Sequence, residues 1–66
     1  DYQAAFELGN LLVERGATEP AIHAYSLSRQ HAPSGDGLIA TLTHQIEALS
    51  HAGAAQVGPL RNPWLE

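Results

Sequence analysis

Glycine and proline cut this chain into three stretches of helical period, followed by a tail that a helix cannot enter. In the first, residues 2–15, Ala5, Leu8, Gly9, Leu12 and Val13 recur at helical spacing while Gln3, Glu7, Asn10 and Glu14 take the other faces. Gly16 stops it. Thr18 is then placed to cap a second helix over 19–31, with Glu19 at the positive end of its dipole. Pro20 falls in its first turn, where a missing N–H is harmless. Ala21, Ile22, Tyr25 and Ser28 share one face of this helix, and Pro33 with Gly35 ends it. Asp36 or Ser34 caps a third helix over 37–52, whose stripe of Leu38, Ile39, Leu42, Ile46 and Leu49 keeps one face apolar throughout. Gly53 closes it, and residues 54–57 are ambiguous. From Gly58 onward, Pro59 and Pro63 hold the chain extended. The expected fold is all-α: an antiparallel helical hairpin with a third helix in a domain over 1–57, then an extended tail over 58–66.

With 66 residues and no cysteine, such a domain lacks any disulfide or thiolate metal site to stiffen it. The missing cysteines leave the compartment open. Arg15, Arg29 and Arg61 are the only fixed cations against seven carboxylates, and there is no lysine. A net charge of -4 argues against nucleic acid, whose phosphates need clustered Lys and Arg, and against a basic helix lying on a membrane. No apolar run approaches the roughly 20 residues of a membrane span. The chain begins at Asp1 rather than methionine, and a piece of a longer polypeptide is the expectation.

The order of small and large residues in the first two helices resembles the tetratricopeptide repeat, whose 34-residue pattern reads W-x2-L-G-x2-Y, then A-x3-F, then P. Here the series is Ala5, Leu8, Gly9 and Leu12, then Ala21 and Tyr25, then Pro33, with the family's spacing from Gly9 onward. Ser28 stands where the family prefers a small residue. Ala5 and Leu12 depart from the pattern by replacing large aromatics, and Phe6 is a candidate for the missing bulk. The match covers about residues 2–35, roughly half the chain. It implies that Leu8, Gly9, Ala21, Tyr25 and Pro33 shape the helix crossing, with Gly9 and Ala21 small because the helices approach closely there. The third helix stands where the next repeat would begin, with Thr43 for its glycine, and acts as a cap or a truncated repeat. The resemblance further implies a concave surface that binds protein, formed by Phe6, Asn10 and Val13 with Gln3, Glu7 and Glu14, and joined by Ala40, Thr41 and His44. A carboxylate clamp of the kind some family members carry is rejected: Asn10 matches one of its asparagines, but Phe6 and Ala40 stand where cations are needed.

Chemistry of other kinds finds little purchase. His23 and His31 are eight residues apart and His44 and His51 seven, so neither pair chelates one ion from a single helix, where ligands sit four apart. Metal and cofactor are therefore expected to be absent. Ser26, Ser28, Ser34 and Ser50 lack any nucleophile motif, and Ser34-Gly35-Asp36-Gly37 has neither the length nor the lysine of a phosphate loop. No catalytic residue is expected, and the chain reads as no enzyme. Trp64, the sole tryptophan, and Leu65 leave two readings open: an anchor inserted into a partner's pocket, or a segment folded back over this chain's own apolar face or starting a further domain. The functional expectation is a protein-interaction scaffold, stable through self-association or by docking on a larger protein. The alternative is an accessory segment of an enzyme whose catalytic part lies elsewhere.

Overall fold

The computed structural model describes residues 1–65 and is all-helical apart from its connections. Helix α1 spans Tyr2–Glu14, α2 Thr18–His31, α3 Leu38–Ala52 and the single turn α4 Ala54–Val57, with a 3-10 turn over Pro63–Leu65. The three main helices lie within a residue of their expected bounds because their ends carry local signals. Asp1 caps α1 by accepting from the Gln3 N–H at 3.0 Å. At the other end Gly16, with φ +75°, lets its own N–H reach the Val13 carbonyl and that of Ala17 reach the Leu12 carbonyl. Neither Asp36 nor Ser34 is the N-cap of α3: that residue is Gly37, and Asp36, one position earlier, accepts from the Leu38 N–H at 3.0 Å.

Thr18 corrects one expectation. It lies inside α2, whose N-cap is Ala17 with no side-chain bond. Its hydroxyl instead accepts from the Ala54 N–H at 2.8 Å, which ties the start of α4 to the start of α2. The hydroxyl that could have capped its own helix is used to satisfy another helix's first N–H.

Helices α1 and α2 form a closely packed hairpin, and α2 also packs on α3. The backbones of α1 and α3 do not meet, so α2 is the floor of a groove with α1 and α3 as walls. The core gathers Phe6 and Val13 from α1, Ala21 and Tyr25 from α2, Leu38, Leu42 and Leu49 from α3, and Ala54. Gly9 is buried against the Tyr25 ring: a Cβ built on it would stand 2.7 Å from two ring carbons. Only a glycine lets α1 lie this close to the tyrosine. Ala21 is fully buried too.

The α3 stripe is rotated from its expected setting. Leu38, Leu42 and Leu49 point inward, but Gln45 is buried with them while Ile39 is 37% exposed. Residues 38, 42, 45 and 49 follow the 3.6-residue period, and Ile39 and Ile46 fall one position to the side. Ser28 is also fully buried, its hydroxyl donating to the Tyr2 carbonyl at 2.7 Å and so pinning the start of α1 to α2. Leu8 is 50% exposed and borders, with Leu12, the α2 residues Ala24 and Leu27 along the edge of the hairpin.

Candidate functional site: a groove filled by the tail

The groove is lined with amides. Asn10 projects from α1, Tyr25 from α2 and Gln45 from α3, and the three side chains meet. The Tyr25 hydroxyl donates to Asn10 Oδ1, and Gln45 Nε2 stands 3.4 Å from the same hydroxyl oxygen. Above this row runs the segment from Gly58, held mainly by its backbone. Asn10 Nδ2 donates to the Leu60 carbonyl at 2.9 Å while Asn10 Oδ1 accepts from the Leu60 N–H at 2.9 Å. Gln45 Nε2 donates to the Gly58 carbonyl at 2.9 Å. One asparagine thus satisfies both polar groups of a single residue, a pairing that fixes the register of an extended chain without reading its side chain.

Further along, aromatic packing takes over. The Trp64 ring lies 4.8 Å from Phe6 and 6.0 Å from Tyr2, both edge-on, and Phe6 meets Tyr25 at 6.2 Å. Such edge contacts suit the ring quadrupoles. The indole N–H donates to Glu7 Oε2 at 2.9 Å, and Asn62 Nδ2 reaches the same oxygen at 3.3 Å. Beside Trp64 an open cleft of about 650 Å³ remains, bordered by Tyr2, Gln3, Gly37, Thr41 and Arg61.

These contacts place the candidate residues. Phe6 and Val13 are core residues with 0% and 3% exposure, so neither offers an open surface; that expectation is corrected, because Tyr25 and Trp64 pack on Phe6 and Val13 belongs to the core. Asn10 does face the groove, but the tail occupies it. Thr41 borders the remaining cleft, and its hydroxyl turns back to the Gly37 carbonyl at 3.1 Å. His44 is exposed and does not border that cleft. Of the two tail residues, Trp64 lies on this chain's own aromatics, whereas Leu65 is 77% exposed. Pro33 follows the end of α2 and is exposed. All four histidines are exposed, and among the described residues no three His, Asp or Glu converge. Among the same residues, no helix is long and apolar enough to cross a membrane.

Gln45 is the groove residue that pattern reading missed. Its signal is a single amide in the middle of an otherwise apolar inward face, where a buried polar group demands a partner.

Burial pushes the Tyr25 hydroxyl above its ordinary pKa of 10.0 and the Glu14 charge adds to the rise, while hydrogen bonds from Gln45 and the Leu60 backbone hold it back. The folded state therefore keeps this proton longer than the unfolded chain. Its contribution is fully present below pH 10.0 and is lost as pH rises through the folded value. The expected result is a urea midpoint that falls above pH 10, with a shallower fall in Tyr25→Phe. Identical alkaline slopes in the two proteins would contradict this.

Comparison with family models, with curated proteins and with solved structures finds no match to this chain.

Proposed function

We propose that this chain is a protein-interaction module, tetratricopeptide-like in its hairpin, whose groove grips an extended polypeptide segment by the backbone. The observation that carries the reading is the paired engagement of the Leu60 N–H and carbonyl by Asn10. An amide that satisfies both groups of one residue suits any extended chain. The indole socket at Phe6, Tyr2 and Glu7 adds a preference for tryptophan four residues further on. The acidic, lysine-free composition fits protein partners better than phosphates. Leu8 and Leu27, both exposed and bordering one open hollow between α1 and α2, provide further apolar surface of the kind that assembly uses. The module performs no catalysis in this reading and needs no cofactor.

The test uses a fluorescently labelled peptide with the sequence of residues 58–65, titrated into the full chain and into its Trp64→Ala variant. The tethered tail competes at an effective concentration of about 1 mM. Wild type should therefore bind the peptide weakly. Trp64→Ala loosens the tether and should bind at least about tenfold more tightly, since 1.4 kcal/mol of lost cis affinity is enough. A helical Trp64→Ala protein that binds the peptide no better than wild type would refute the groove as a peptide site.

A further inference from the structure

The tail is linked to the rest of the fold by one residue with unusual geometry. Gly58 has φ +80° and ψ 160°, a combination essentially confined to glycine, and Pro59 follows it. Between this hinge and Leu65 the only internal backbone bond is the Leu65 N–H to the Asn62 carbonyl at 3.3 Å. Every other bond described above for this segment runs to α1 or α3: Gly58 to Gln45, Leu60 to Asn10, Asn62 and Trp64 to Glu7. The tail thus makes the contacts of a ligand, and the hinge only decides which groove it reaches. An emptied groove would leave Asn10 without Leu60 and Gln45 without the Gly58 carbonyl, and would uncover Phe6. Those are groups for which burial without a hydrogen bond, or exposure of a large ring, is unfavourable. The groove therefore favours being filled, and a tail from an identical chain offers the same chemistry.

We infer that the tails exchange: in a dimer of this chain, residues 58–65 of each copy lie in the Asn10–Tyr25–Gln45 groove of the other. This rests on the groove being a site for extended segments and adds that its partner is a second copy. Exchange of an identical element keeps the contacts that Leu60, Asn62 and Trp64 make with α1 and changes the hinge at Gly58, which makes it a low-cost route to a two-fold assembly. Closure within one chain competes at an effective concentration of about 1 mM, so closed monomers dominate in dilute solution and exchange grows as total chain approaches that value. A proline immediately after the hinge favours the extended course, since the residue before proline is biased away from helix.

The experiment mixes two full-length variants. Asn10→Ala carries a damaged groove with an intact tail, and Trp64→Ala carries an intact groove with a damaged tail. In a closed monomer each has one defective site. In an exchanged heterodimer one site is wholly intact. At about 1 mM total chain, sedimentation of the mixture should show at least about ten times more dimer than either variant alone. If both variants are helical by circular dichroism and the mixture stays monomeric, exchange is overturned. Should peptide 58–65 nevertheless bind Trp64→Ala, the groove reading survives and only the identity of the partner falls. If either variant does not fold alone, Gly58→Val decides in its place. It keeps groove and tail intact but cannot adopt the closed hinge. Dimer well below 1 mM supports exchange, and a folded monomer, or an unfolded chain at every concentration, contradicts it.

Discussion

Phe6→Ala is expected to cost about 3–5 kcal/mol, the range for removing a fully buried aromatic ring. Phe6 is 0% exposed and touches both halves of the structure, Tyr25 on the hairpin side and Trp64 on the tail side. Its loss opens a cavity and also removes the surface against which the tail closes. A domain of this length has a total stability of roughly 3–10 kcal/mol at 0.05–0.15 kcal/mol per residue. The variant should therefore lose about a third or more of the total. Urea titration followed at 222 nm measures the loss. A change below about 1 kcal/mol would mean that Phe6 lies on an open face, as the repeat pattern alone implied.

Asn10→Ala should produce the second large effect, and a more selective one. Three hydrogen bonds end on this side chain: from the Tyr25 hydroxyl, from the Leu60 N–H and to the Leu60 carbonyl. At about 0.5–1.5 kcal/mol each, their joint loss amounts to about 1.5–4.5 kcal/mol. The tail can respond by leaving the groove, where water satisfies its backbone again. The cost is then limited to the free energy of tail closure, and the helices persist. The expected signature is a helical spectrum close to wild type with Trp64 emission shifted to the red, because the indole leaves Phe6 and Glu7. Loss of helix in proportion to the emission change would show instead that tail and hairpin unfold as one unit.

Much of the scaffold was legible in the sequence because its signals are local. Gly16, Pro33, Gly35 and Gly53 mark helix ends by backbone chemistry that no tertiary contact overrides, and the spacing of Gly9, Ala21 and Tyr25 encodes a close crossing. The groove was legible only in part. Asn10 could be placed on its wall by helical periodicity, but its partner Leu60 lies fifty residues away, and no pattern links an asparagine to a distant backbone amide. Phe6 and Val13 face the groove side of α1, and periodicity cannot tell an open wall from one that the chain itself covers. Gln45 was hidden because the stripe drawn through Ile39 and Ile46 leaves it to one side, and its burial is explained by the Gly58 carbonyl and the Tyr25 hydroxyl. Thr18 has the side chain of an N-cap and the position of a first-turn residue, and the choice between these roles is made by Ala54.

The segment from Gly58 is held in the groove through its backbone. Amide hydrogen exchange at Leu60 tests it most directly. Between Pro59 and Arg61 this N–H has no helix to protect it, and its partner is Asn10 Oδ1. Exchange is expected to be at least about 100-fold slower than in the free peptide of the same sequence, equivalent to about 2.7 kcal/mol of closure, with that protection abolished in Asn10→Ala. Leu60 exchanging at the free-peptide rate in the wild-type chain, with α1 and α3 amides still protected, would contradict it.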